Sequence, residues 1–359
     1  MKRLFLFAIL MAWASLLPEV FACTGITLQT ASSSPVTART IEWAVQPLSM
    51  MYVVVPRGHR HVSQLPDGTK QGLRYFAKYG YVGIAVEDQT FVMEGLNEAG
   101  LSAGLFYFPD YGEYQPYDSA YKGLTISDMQ FVSWVLASFA NIDDLLARLN
   151  DIRVVGIDPR ASTTHWRVTD SSGRQVVLEI IDQKMIVHDN PLGVLTNSPS
   201  LPWHRANLNN YINLQPGSIQ QKEMRNLVMK AFSGGTGMLG LPGDMTSPSR
   251  FVRAAFMQST APVLDDAEQT VIQAFHILSA FNIPIGMQFG SPDLVPDMHS
   301  ATQITVASDL VNRRLYFRTM YNAALRCIDL YNIDFDQVAY QAEYLEHSTM
   351  EPIEYIEVY

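Results

Sequence analysis

Strand-like segments recur between positions 23 and 108 and again over 165–194, and the first of them alternates with a period of two that fits a strand and no helix. In the first block, CTGITLQT at 23–30 places Ile26 and Leu28 on one face. Pro35–Trp43, Met50–Val55, Tyr81–Val86 and Phe91–Phe108 continue the pattern, the last folded about Asn97-Glu98-Ala99-Gly100. The clusters SSSP and PRG supply turns between them. The second block, His165–Val194, turns at Asp170-Ser171-Ser172-Gly173, and a closing hairpin joins Thr302–Val306 to Leu315–Met320 around Asn312-Arg313-Arg314.

Helical spacing occupies the gaps. Ser127–Ala140 carries Phe131, Trp134, Val135 and Leu136, and Ile142, Leu145, Leu146 and Leu149 form a stripe behind an Asp pair. Further helices are predicted over Lys222–Phe232, Ser249–Gln258 and Ala267–Phe281, the last stopped by Pro284. Strands, then helices, then strands predict an α+β fold with helices layered outside sheets. No repeat, linker or low-complexity tract divides the chain, so residues 23–359 read as one domain.

Residues 1–22 read as a cleaved signal peptide. Lys2 and Arg3 start it, Leu4 to Leu17 is apolar and uncharged, Pro18 and Glu19 break the run, and Val20-Phe21-Ala22 resembles a cleavage site. The run is short for a bilayer, and no later segment is long and uncharged enough to span one. The expectation is therefore a periplasmic or secreted protein without stable membrane insertion. At 359 residues and 48% hydrophobic content the chain can bury a core without staples. A net charge of −10 argues against a broad nucleic-acid-binding face.

Of two cysteines, Cys23 and Cys327, the first follows the cleavage site directly. Three readings are open for it. It is an incidental residue near a processed end, or the lipid-bearing cysteine of a non-enzymatic envelope protein, although Phe21 is bulky for a lipobox. The third reading is catalytic, because cleavage frees an α-amine on the residue that carries the thiol. Such an amine titrates near 8 and can move a proton at neutral pH, so one residue supplies nucleophile and base. The role of Cys327 is open, free cysteines being commonly small buried residues.

Other motifs carry less. Gly100-Leu101-Ser102-Ala103-Gly104 matches a serine nucleophile elbow, but Leu105 to Phe108 continues as strand where the elbow requires a helix. Gly235, Gly237 and Gly240 match a dinucleotide spacing, yet a helical pattern precedes them in place of a strand. His59 and His61 fall in a predicted turn, and His165, His188 and His204 are scattered, so no metal cluster is expected.

Five separated motifs resemble the choloylglycine hydrolase family, which includes bile salt hydrolases and penicillin V acylases. They are CTGI at 23–26, ARTIEW at 38–43, EGLNEAGLSAGL at 94–105, VLTNSP at 194–199 and GTGMLGLPGDMTSPSRFVRAA at 235–255. The resemblance implies a four-layer αββα N-terminal-nucleophile fold, two stacked antiparallel sheets between helical layers. It implies hydrolysis of a small linear amide, with conjugated bile salts, penicillin V and N-acyl homoserine lactones as candidate substrates. No cofactor and no metal are implied, and a homo-oligomer, tetramer or dimer, is suggested because Arg205–Gln221 matches an assembly region.

By the same resemblance Cys23 is the nucleophile, Arg39 the cation beside it and Arg250 a further arginine near the reaction centre. Glu42 stands where many members carry aspartate and would orient the α-ammonium. Asn197 would give its amide N–H to the oxyanion. Phe106 occupies a position where bile salt hydrolases place asparagine, and its backbone N–H is expected to complete the oxyanion hole. An aromatic there is more like the penicillin V acylase branch.

Overall fold

A computed structural model describes residues 22–44, 46–158, 162–287 and 298–359. Met1–Phe21, nearly all of the expected signal peptide, lies outside the described residues. Among the described residues, thirteen strands build two large antiparallel sheets. The first contains β1 (Ala22–Gln29), β2 (Pro35–Glu42), β10 (Thr302–Asp309), β11 (Arg314–Thr319) and β12 (Asn322–Asp329), adjacent in that order. The second contains β3 (Met50–Val55), β4 (Tyr81–Val86), β5 (Val92–Asn97), β6 (Ser102–Tyr107), β7 (Thr164–Thr169), β8 (Gln175–Ile181), β9 (Lys184–Asp189) and β13 (Gln341–Tyr344). Their spatial order is β9-β8-β7-β6-β5-β4-β3-β13.

The sheets stack between helices, which gives four αββα layers. Helices α4 (Ser247–Thr260) and α5 (Ala267–Ser279) cover the first sheet, and α1 (Phe131–Ser138) covers β5 and β6 of the second. Asp266 caps α5 by accepting from the Gln269 N–H, and Asn141 caps the short α2 (Ile142–Leu146) through the Asp144 N–H. Every residue of β2 is buried because each of its faces has a neighbour. Ile26, Leu28, Val36 and Ala38 join Phe251, Ala254, Val271 and Ala274 on the helix side. Ile41 joins Ile304, Val306 and the second sheet on the other. Alternation thus sends Cys23, Gly25, Arg39 and Ile41 into the space between the sheets.

The predicted strands and the helices of the core form close to their expected bounds. At the Asn97–Gly100 turn, Asn97 Oδ1 accepts from the N–H groups of Ala99 and Leu101, and Gly100 takes φ +84°. The predicted helix over Lys222–Phe232 is wrong. Lys222–Met224 pairs with Leu227–Met229 across a turn in which Arg225 has φ +53°. Helical spacing describes a face, and that face needs a surface to cover it. Here Met224, Leu227, Val228 and Phe232 are all exposed. Strand β12 and helix α3 (Leu201–Asn207) were not predicted, and Cys327, whose role the sequence leaves open, lies exposed on β12. Both cysteines are free.

Candidate active site

The β1–β2 hairpin sets the distance between thiol and guanidinium. Cys23 is opposite Ile41 and Gly25 opposite Arg39, so Cys23 and Arg39 are diagonal neighbours on one face, a separation that a long side chain spans. Arg39 Nη2 donates to Cys23 Sγ at 2.7 Å. The guanidinium cannot swing away. Its Nη1 donates to the carbonyls of Met93 (3.3 Å) and Leu105, and its Nε to Thr40 O. It lies 3.9 Å above the Phe106 ring and 3.6 Å from Glu94 Oε2. Glu94 in turn accepts from Arg167 Nη2 at 3.1 Å and from Ser102 Oγ at 3.3 Å. A Cβ on Gly104 would fall 1.9 Å from Glu94 Oε2, so glycine there is what admits the carboxylate.

The other side of Cys23 is held from three elements. Its N–H donates to Asn197 Oδ1 at 2.9 Å, and Arg250 Nη2, from α4, donates to the same oxygen at 2.7 Å. Arg250 Nη1 reaches the Cys23 carbonyl and Thr24 Oγ1. Asn197 Nδ2 donates to Tyr107 O at 2.8 Å. Gly25 and Leu195 exchange main-chain hydrogen bonds of 2.7 and 3.1 Å, joining β1 to the segment that carries Asn197. With Cys23 still bonded to Ala22, burial pushes the thiol above its usual range against the pull of Arg39. Glu42 raises it further, while Arg250 and the Tyr107 N–H lower it.

Glu42 is opposite Ala22, one residue before the thiol, and accepts from Thr302 Oγ1 at 3.2 Å. Burial lifts its carboxyl to about 7, although Arg250 pulls the other way. The Cys23 N–H meets Asn197, not Glu42, in this chain.

Of the expected site residues, Cys23, Arg39, Asn197 and Arg250 lie together, and Arg39 is fully buried. Phe106 does not supply the backbone donor. Phe108 N–H bonds Thr163 O, and hydrogen-bonded pairs recur every second residue, so Phe106 N–H is committed to His165 in the ladder with β7. The next amide, Tyr107 N–H, points to the opposite side, where it lowers the pKa of the Cys23 thiol. Phe106 instead presents its ring to Arg39 and Arg167. A one-residue displacement on a strand exchanges the two edges, so a motif matched one place off names the wrong amide.

Ser102 starts a strand and hydrogen-bonds Glu94, so no elbow forms. A strand, Leu227–Met229, precedes the glycines at 235–240 where a helical pattern was expected, but Thr236–Met238 is a single 3₁₀ turn, not an opening helix. His61 lies on the strand Arg60–Val62 where a turn was expected. Sequence reasoning passed over Glu94, Arg167, Tyr107 and the contacts among His165, Glu179 and His188. Glu94 lay inside a recognised motif; the rest become neighbours only through pairing of distant strands. Among the described residues, no group of three or more His, Cys, Asp or Glu is placed to hold a metal, and no helix is long and apolar enough to cross a membrane.

Known proteins resemble this chain over most of its length. The family of linear amide C–N hydrolases, choloylglycine hydrolase family, matches residues 23–342. A bile salt hydrolase/transferase of Clostridium perfringens is 30% identical over 318 residues, 88% of this chain and 94% of that protein. A penicillin V acylase of Pectobacterium atrosepticum is 24% identical over 324 residues, 84% of this chain and 78% of that protein. The crystal structure of a mutant conjugated bile acid hydrolase from Clostridium perfringens superposes with a TM-score of 0.78 at 27% identity. It covers 93% of this chain and 100% of that one.

Proposed function

The chain belongs to the choloylglycine hydrolase family of linear amide C–N hydrolases, and we propose that cleavage between Ala22 and Cys23 makes Cys23 its N-terminal nucleophile. The observation that carries this reading is the 2.7 Å contact from Arg39 Nη2 to Cys23 Sγ, with the Cys23 nitrogen 2.9 Å from Asn197 Oδ1. Sulfur and nitrogen of one residue each have a fixed polar partner. Cleavage turns the peptide N–H into an α-ammonium, a second positive charge beside the sulfur, which favours thiolate.

The thiolate attacks the amide carbonyl carbon and forms a C–S bond while the carbonyl π electrons move to oxygen. Asn197 Nδ2 and the Tyr107 N–H stabilise that oxyanion. Collapse breaks the C–N bond, and the α-ammonium gives a proton to the departing amine. Water, deprotonated by the now neutral α-amine, attacks the thioester; the C–S bond breaks, the acid leaves, and thiolate and α-ammonium are restored. Arg250 and Glu42 hold the terminus in register, and no metal or cofactor takes part.

The substrate pairs an apolar acyl group with a polar or charged amine: a conjugated bile salt, penicillin V or an N-acyl homoserine lactone. The mature protein, residues 23–359, works in the periplasm or outside the cell as a homo-oligomer. Lipidation of Cys23 opposes this reading, since a thioether and an acylated amine would remove both reactive groups. Cys23 is only 2% exposed in the first sheet, which leaves a lipid no path to a bilayer without unpairing β1. Intact mass and terminal sequencing of the native protein, with amine release from the three substrates by parent and Cys23→Ala, test the reading. A competent enzyme that starts elsewhere, or a Cys23→Ala enzyme of full rate, refutes it.

A further inference from the structure

The segment that carries Asn197 has no regular secondary structure, yet its main chain is gripped from both sides. Thr196 O faces His165 Nε2 at 3.1 Å, and Asn197 O faces His204 Nε2 at 2.9 Å. Asn197 N–H donates to Ser247 Oγ at 3.0 Å. His165, on β7, is fully buried, stacked on Phe108 with centroids 4.5 Å apart. Its second nitrogen, Nδ1, faces Glu179 Oε1 at 3.4 Å. Glu179, buried on β8, also accepts from the Leu201 N–H at the start of α3 (2.9 Å) and meets His188 Nε2 at 3.1 Å. His188, 19% exposed, is the member of this chain nearest solvent.

The chemistry of the ring follows from its neighbours. Both nitrogens of His165 face oxygens that only accept, so both contacts are hydrogen bonds only when the ring carries two protons. A buried imidazolium needs a counter-charge, and Glu179 is the carboxylate in contact with it. We propose that Glu179 is a positioning residue: by holding His165 doubly protonated it fixes the Thr196 carbonyl and thereby aims the Asn197 amide at the reacting carbonyl. This rests on the catalytic reading of Asn197 given above. Glu179 touches no reacting atom; it acts through His165 and the 196–197 peptide.

The experiment uses the mature enzyme with ¹⁵N-labelled histidine, and penicillin V or whichever of the three substrates it cleaves. Ring ¹⁵N spectra at neutral pH should show His165 with two N–H groups in the parent and one in Glu179→Gln. The glutamine variant should lose kcat by about tenfold to a hundredfold, the cost of an ångström-scale misplacement. KM should stay within about twofold, since the affected contact forms in the transition state. Alkylation of Cys23 by iodoacetamide should keep its parent rate, because Arg39 and Tyr107 are untouched. His165→Gln keeps a donor for Thr196 O, so it should be faster than His165→Ala, and this pair serves should Glu179→Gln not fold. A singly protonated His165 in the parent, a Glu179→Gln enzyme with parent kcat, or equal rates for the His165 pair would each overturn the proposal. The spectra and alkylation need no turnover, so they distinguish failure here from failure of the Cys23 mechanism.

Discussion

Gly104→Ala is a one-methyl change with a large expected effect. The added Cβ would stand 1.9 Å from Glu94 Oε2 and 2.8 Å from its Cδ. A carbon and an oxygen settle near 3.3 Å, so the carboxylate must retreat by roughly 1.4 Å. An exposed glutamate would do that at little cost. Glu94 is buried and held by Arg167 at 3.1 Å and Ser102 at 3.3 Å, with Arg39 at 3.6 Å. Overpacking of this kind costs about 1–3 kcal/mol, and stranding a buried guanidinium raises that to about 3–5 kcal/mol. The thermal midpoint should fall by at least about 2 °C. Because Arg39 carries the displacement to Cys23 Sγ, kcat/KM should fall by about tenfold to a hundredfold. Glu94→Asp withdraws the carboxylate by one carbon–carbon bond, about 1.5 Å, and so makes room for the methyl. The double variant should recover about 1 kcal/mol or more relative to the sum of the singles. Denaturant melts and amide-hydrolysis rates on the four proteins measure this cycle. A Gly104→Ala protein as stable and active as the parent, or strict additivity, would refute the packing argument.

Asn197→Ala should lower kcat by about a hundredfold to a thousandfold, with near-parent iodoacetamide labelling of Cys23; steady-state rates and labelling kinetics check both. Arg39→Gln should slow that labelling by about tenfold or more at neutral pH, since one pKa unit changes the thiolate fraction tenfold; a parent-like labelling rate would remove Arg39 from the account. Glu42 titrates at about 7 in the folded chain that retains Ala22, against 4.5 ordinarily. A raised folded value means that folding takes up a proton, so this carboxyl costs stability as pH rises from about 4.5 through 7. In that unprocessed chain Glu42→Gln should gain roughly 3 kcal/mol over the parent at pH 8 and little at pH 4. A pH-independent difference in denaturant midpoints would contradict it.

Alternation made the sheets legible. Ile26, Leu28, Val36 and Ala38 announce a covered face, and the observed strands begin and end near the predicted residues. Lys222–Phe232 misled because a helical stripe and an exposed hairpin can share one residue pattern, and only the presence of a packing partner decides between them. At the site, residues on the β1–β2 hairpin and in the long motifs were readable because their neighbours are local or distinctive. Phe106 was displaced from its expected role by one residue, the smallest error possible on a strand and one that reverses its edge. Glu179 and His165 were invisible for another reason. Residues 165, 179, 188 and 196 meet only through the β7–β8–β9 pairing and the loop that follows it, and no spacing along the chain encodes that meeting.

The two main-chain hydrogen bonds between Gly25 and Leu195 have a mechanical consequence. β1 is an edge strand of its sheet, a position free to fray. Those bonds fasten it, two residues from the sulfur and two from the Asn197 amide, so the proposed attacking atom and the proposed receiving dipole travel as one body. Thermal loosening of that strand would, on that proposal, disable both halves of the chemistry together. Heat should remove competent molecules from the population while the survivors keep their full turnover number.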